Sequence, residues 1–176
     1  MATSYLPELA KFGSQYKVTC HDKDGNLKWV EDNPNLVVDE GIYYLFDVAF
    51  FGSEERSDWY CSLFKESVGL IRGPQKTDTM LSHDGWSEYT GWVNWKRPII
   101  NFKHPNERQT TASLVSDPLQ FIIGDNNVVD GCFMVTHENK GIDSIGKLYG
   151  VSSFSSPRSV SPGDAINIVI TLGGVG

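Results

Sequence analysis

Ser161-Pro162-Gly163-Asp164-Ala165-Ile166-Asn167-Ile168-Val169-Ile170-Thr171-Leu172 is the stretch that decides the fold. Ile166, Ile168, Ile170 and Leu172 fall on one side of an extended chain, and Asn167, Val169 and Thr171 on the other. A period of two residues is the mark of a half-buried β-strand, and the Pro162-Gly163-Asp164 turn sets where it starts. Working outward, segments 145–154, 128–136, 119–123, 110–115, 99–102, 89–95 and 59–64 read as further strands. The turns between them include Glu138-Asn139-Lys140-Gly141, Gly124-Asp125-Asn126-Asn127, Asp117-Pro118 and Lys96-Arg97-Pro98. About eight to ten short strands at this spacing imply an all-β fold, an antiparallel β-sandwich. The jelly roll is the commonest eight-strand solution and is the expected type.

Ahead of these strands the pattern changes twice. Tyr16 to His21 and Leu27 to Val30 alternate around Asp22-Lys23-Asp24-Gly25-Asn26, which predicts a β-hairpin over 16–30 with Gly25 at positive φ. Asn33-Pro34-Asn35 breaks that pattern, and Asp39 then opens a helix over 39–51 as its N-cap. Ile42, Leu45, Phe46, Ala49 and Phe50 recur at helical spacing and predict the buried face, with Gly52 just past the end. Residues 1–15 read as an N-terminal arm and 16–176 as a single domain, with the hairpin and helix laid against one side of the sandwich. The polar stretch from Lys65 to Ser87 is too irregular for a helix and too long for an ordinary loop, so it is expected to carry local structure or a contact role.

The 176 residues carry a formal net charge of -7, from 22 acidic against 15 basic side chains. Without a Lys/Arg cluster this is a poor footprint for phosphate neutralisation, so no nucleic-acid partner is expected. No window reaches the roughly 20 apolar residues of a membrane span, so no membrane partner is expected. The opening Met1-Ala2-Thr3-Ser4-Tyr5-Leu6-Pro7-Glu8 lacks the basic-then-apolar layout of a secretory signal. Cys20, Cys61 and Cys132 are odd in number, widely spaced and each within an apolar run, which predicts buried free thiols rather than zinc ligands or disulfides.

Candidate chemistry is sparse. Ser82-His83-Asp84 has the residue types of a hydrolytic triad, but adjacent residues cannot form the convergent hydrogen-bonded line that one needs, so a turn is expected. Asp22 to Asn26 places its glycine fourth rather than sixth and has Asn33, not Glu, at the twelfth position, against an EF-hand calcium loop. His21, His83, His104 and His137 share no helical i, i+4 spacing, so no metal site is expected. Glu54-Glu55 and Asp143 read as solvated surface rather than a glycosidase pair. The aromatic cluster Trp86, Tyr89, Trp92 and Trp95 reads either as core filling or as a partner or sugar-stacking surface. With Tyr5 and Leu6 of the arm and Trp29 of the hairpin, these residues form the candidate partner interface; no catalytic residue, cofactor or metal is assigned.

Several blocks carry a resemblance. Asn35-Leu36-Val37-Val38-Asp39-Glu40-Gly41-Ile42-Tyr43-Tyr44-Leu45-Phe46-Asp47-Val48, Trp59-Tyr60-Cys61-Ser62-Leu63-Phe64, and Asp78-Thr79-Met80-Leu81-Ser82-His83-Asp84-Gly85-Trp86-Ser87-Glu88 resemble a family of small virion proteins of tailed bacteriophages. Arg97-Pro98 and Ser155 to Asp164 fit as well, so the likeness covers residues 33–172. The charged turns Glu54-Glu55-Arg56 and Asn106-Glu107-Arg108, and the hairpin at 16–30, depart from the family pattern. The resemblance implies a jelly-roll-like, non-enzymatic capsid cement or decoration protein. It implies binding to the outside of the major capsid protein lattice and self-association as a dimer or trimer, in particles made in the host bacterial cytoplasm. The alternatives are a tail- or fibre-associated carbohydrate-binding module and a cell-wall glycosidase.

Overall fold

The computed structural model describes residues 11–53, 58–66, 73–103, 113–142 and 145–175. Among the described residues, eleven strands and one helix follow in order: β1 (Lys11–His21), β2 (Leu27–Pro34), β3 (Leu36–Val37), α1 (Asp39–Phe51), β4 (Tyr60–Glu66), β5 (Trp86–Tyr89), β6 (Phe102–Lys103), β7 (Ser113–Ser116), β8 (Leu119–Ile122), β9 (Asn127–Val135), β10 (Leu148–Val160) and β11 (Ala165–Val175). They form two antiparallel sheets. Sheet A runs β2-β1-β11-β7-β6, with β8 also on β11, and sheet B runs β3-β10-β9-β4-β5. The all-β sandwich expected from the strand pattern is therefore the architecture. Jelly-roll winding is a finer expectation than this strand order establishes.

The core lies between the sheets. Tyr16, Val18 and Cys20 of β1 and Ile166, Ile168 and Ile170 of β11 meet Cys61, Leu63, Cys132 and Met134 of β4 and β9. All three cysteines are buried and free. The alternation read from Ile166 onward is thus the inner face of sheet A. Sheet B is covered on both sides. Its outer face packs Phe64, Phe133, Val135, Leu148 and Val151 beneath Val38, Met80 and Trp86. A strand buried on both faces loses its polar alternation, as in β9, where residues 131–135 are all buried.

Several expectations need correction. The hairpin is present, with Gly25 at φ 85°, but it is not an addition to the sandwich. β1 begins at Lys11 and pairs with β11 through eleven consecutive residues, Lys11↔Val175 to His21↔Ala165. Residues 11–15 of the expected arm are therefore strand; 1–10 lie outside the described residues. Segment 90–95, expected as strand, is a loop, because β5 ends at Tyr89. The Lys65–Ser87 stretch does have local structure in its described part: residues 73–85 form turns that roof the outer face of sheet B. There Asp78 accepts hydrogen bonds from Gln75 N at 2.9 Å and Trp86 Nε1 at 2.8 Å.

The helix spans 39–51 as expected, and Gly52 closes it by donating its N–H to Asp47 O. The N-cap, however, is Val38, which offers no side-chain bond; Asp39 is already helical. The buried face also differs from the expected one. Gly41 is the only fully buried residue of α1. A Cβ there would stand 2.5 Å from Tyr149 O and 2.7 Å from its Cα, so the helix rests on β10 backbone to backbone. Leu45 packs on the main core, while Phe46 and Phe50 point outward.

The open flank between the sheets is closed by a buried carboxylate. Glu31 of edge strand β2 accepts bonds from Ser155 N (3.0 Å), Ser155 Oγ (2.9 Å), Asn33 Nδ2 (2.8 Å) and Arg158 Nε (2.7 Å), with Arg158 Nη2 also in contact. These bonds fall where β10 leaves its ladder with β9, between Ser153 and Arg158. Burial by itself raises the Glu31 pKa, but the hydrogen bonds from Asn33, Ser155 and Arg158 outweigh it and bring it down to about 2. An inward charge on an edge strand also discourages that edge from pairing with another chain.

Candidate partner-docking surface

The sequence nominated seven interface residues, and the fold separates them. Trp86, Tyr89 and Trp92 are buried. Trp86 fills the outer layer of sheet B, against Phe64 at 5.4 Å and Phe133 at 5.0 Å, with His83 stacked on it at 4.0 Å. Trp92 packs edge-on against Phe121 at 5.2 Å, with Lys140 Nζ at 4.8 Å from its ring centroid. Tyr89 donates its hydroxyl to Asp125 at 2.5 Å. These three residues are core, because the sheets and the 73–85 roof supply the apolar surroundings that large rings need. Trp29 is half-buried at the flank, 5.4 Å from Phe154 and under the Arg158 guanidinium. Tyr5 and Leu6 lie outside the described residues. Of the five that are described, Trp95 is the one that stands in water, at 82% exposure.

Trp95 sits on a loop held from below. Arg97 and Glu88 form an ion pair whose side chains are 0% and 2% exposed. The guanidinium donates to both carboxylate oxygens at 2.8 Å, to His137 O at 2.9 Å and to Ile142 O at 3.4 Å. Glu88 also receives Ser62 Oγ and Gly141 N. Lys140 donates to Thr90 O and Trp92 O, and Lys96 pairs with Glu138 at 2.7 Å. Burial lowers the Lys140 pKa, partly offset by the Glu88 charge. The loop is thus fixed at both ends while its tip ring meets solvent.

A larger exposed surface was missed by the sequence reading. Tyr43 (69%), Phe46 (42%), Phe50 (76%) and Phe51 (78%) are exposed on α1, and the Phe46 and Phe50 rings lie 6.1 Å apart. At roughly 200 Å² per aromatic residue they leave about 500 Å² in water. That is near the top of the range for the largest apolar patch of an ordinary monomer, and such patches mark interaction sites. A signal was available. Nine of the thirteen residues in DEGIYYLFDVAFF are apolar, and a helix that is apolar around most of its circumference requires a cover on more than one side.

The inner side of α1 is firmly placed. Glu40 accepts Met80 N at 3.1 Å and Leu148 N at 2.8 Å, and pairs with Lys147 at 3.3 Å. Asp39 N donates to Lys76 O at 2.9 Å, and Asp39 pairs with Lys76 at 3.3 Å. Tyr44 meets Trp59 edge-on at 5.7 Å, and Trp59 meets Tyr149 the same way at 5.7 Å. A groove of about 390 Å³ runs beside the outer face, lined by Glu40, Tyr43, Tyr44, Asp47, Thr79 and Lys147 among others. The helix backbone that carries these rings is thus in place before a partner arrives, so docking need not order it.

Among the described residues, no three His, Cys, Asp or Glu side chains are grouped to hold a metal ion, and no helix is long and apolar enough to cross a membrane. Comparison with known protein families, with curated proteins and with solved structures finds no match to this chain.

Proposed function

We propose that this protein is a non-enzymatic structural component of a tailed-phage particle. In this reading it is a capsid cement or decoration protein that binds the outside of the major capsid lattice and clamps neighbouring subunits. The observation that carries the reading is the outward aromatic face of α1, held on a two-sheet body by Glu40 and by the close approach at Gly41. The resemblance of blocks 35–48, 59–64 and 78–88 to small phage virion proteins supports it and supplies the partner. Binding of many copies to a lattice raises effective concentration, so single contacts need not be tight. Closed self-association as a dimer or trimer fits the same role.

The test is to strip and rebuild heads. Heads lacking this chain should release their genome at a lower temperature than heads to which it has been added back. A Phe50→Ser/Phe51→Ser variant should fold yet fail to restore the difference. Equal robustness with and without the chain, or its location on the tail alone, overturns the reading.

One observation favours the second reading, a carbohydrate-binding module on a tail or fibre: Trp95 stands exposed on a braced loop, the form of a sugar-stacking platform. In that case Trp95→Ala abolishes glycan binding and leaves head stability untouched.

A further inference from the structure

Resting on α1 as the docking face, we infer that the surface covering it is cationic, and that an arginine or lysine side chain of the partner protein enters the groove beside Tyr43, Tyr44 and Asp47. The outward stripe is Asp39, Tyr43, Phe46, Asp47 and Phe50, at i, i+4, i+7, i+8 and i+11, so aromatic and acidic groups share one line. The helix contains no Lys or Arg, and its last turn has no basic residue. Its partial negative C-terminal charge is thus unmatched within the helix, and Asp47 adds to it instead of opposing it.

The charges along the groove are unevenly satisfied. Asp39 and Glu40 are paired with Lys76 and Lys147. The Asp47 carboxylate is exposed and forms no ion pair with any described residue. The groove volume of about 390 Å³ admits a guanidinium head and its stem. Tyr43 lines the groove, and a cation over a tyrosine face is attracted by the ring quadrupole. The stem and its apolar neighbours would cover Phe46, Phe50 and Phe51.

Charge also selects against other occupants. A second copy docking through the same face would bring a second unpaired Asp47 carboxylate and lysines, Lys76 and Lys147, already paired with Asp39 and Glu40, because a two-fold interface pairs a patch with itself. Both chains also carry a net charge of -7. Anionic lipid and nucleic acid are repelled for the same reason.

Two measurements decide the matter. In the first, backbone amide shifts are followed during titration with the peptide Ac-Leu-Arg-Ala-Leu-amide and its citrulline counterpart, which keeps the shape and removes the charge. The arginine peptide should produce saturable shifts confined to residues 39–51 and 76–79. Citrulline should bind about fivefold more weakly or worse, and Asp47→Lys should abolish the response. Absence of shifts, equal response to citrulline, or an undiminished response in Asp47→Lys overturns the inference. In the second, Asp47→Asn and Asp47→Lys are compared with the wild type for binding to stripped heads. Asp47→Lys should lose about tenfold or more, Asp47→Asn less, with wild-type affinity falling as salt rises. Wild-type affinity for Asp47→Lys overturns the inference while the cement reading stands. If the wild type does not bind heads at all, the cement reading falls and the peptide titration still decides the inference.

Discussion

Replacing Arg97 by Met tests whether the Glu88–Arg97 pair braces the Trp95 loop. Methionine matches much of the arginine stem but removes four donated hydrogen bonds: two to Glu88, one to His137 O and one to Ile142 O. Glu88 is left with its side chain 2% exposed and, among the described residues, Ser62 Oγ and Gly141 N as its remaining donors. Breaking a buried pair from one side costs about 3–5 kcal/mol, because the remaining charge is uncompensated. Domain stabilities lie near 5–15 kcal/mol, so Arg97→Met should remove a large fraction of the total. At about 2–4 °C per kcal/mol for a chain of this size, the midpoint should fall by roughly 6–20 °C. Urea denaturation followed by circular dichroism gives the free energy directly. The double variant Glu88→Leu/Arg97→Met removes both charges and should recover most of the loss, with a coupling of at least about 2 kcal/mol. A loss below about 1 kcal/mol for Arg97→Met, or strict additivity in the double variant, refutes the reasoning.

Three further outcomes are expected. Glu31 is held at about pKa 2, below its ordinary value, so its stabilising contribution is complete above about pH 5 and disappears as pH falls toward 2. The wild-type advantage over Glu31→Gln, about 2–3 kcal/mol near neutrality, should therefore shrink over that interval in acid denaturation; a constant difference contradicts the assignment. Gly41→Val should lift α1 from β10, since even a Cβ meets Tyr149 backbone at 2.5 Å. A loss of about 3 kcal/mol or outright misfolding is expected, and a midpoint equal to wild type argues against the close approach. Trp86→Ala should cost about 3–5 kcal/mol as a core deletion, whereas Trp95→Ala should stay within about 0.5 kcal/mol. Comparable losses in a thermal melt would mean that their burial has been misassigned.

Strands of both sheets were legible in advance, 59–64 and 128–136 of sheet B included, and the buried side was legible where the other face is wet. From Ile166 to Leu172, alternation reports the inner face of sheet A directly, and the end of α1 follows from Gly52. Burial on both sides was harder to read. Cys61 to Phe64 and Gly131 to Val135 show no alternation because the outer face of sheet B is covered by Val38, Met80 and Trp86. The helix face was misread because apolar residues occupy most of its circumference. The mating side was set by what α1 lacks, a side chain at Gly41, rather than by where its largest residues stand. The Glu88–Arg97 brace had no sequence sign, since two opposite charges nine residues apart ordinarily mean solvated surface. Trp86, Trp92 and Trp95 look alike in sequence; strand β5 buries the first, and the loop after Tyr89 buries the second and leaves the third exposed.

The pairing of β1 with β11 bears on how the molecule comes into being. Lys11–His21 and Ala165–Val175 are separated by nearly the whole chain, yet they are neighbours through eleven residues in the middle of sheet A. Closing so long a loop carries an entropic cost before any contact repays it, and folding rates fall as contacts become more distant in sequence. During translation, β1 has its hairpin mate β2 at once but must wait for β11 to leave the ribosome. A chain truncated before Ala165 leaves β1 with an unpaired edge in what would have been the middle of sheet A, and a bare edge is a template for pairing with another chain.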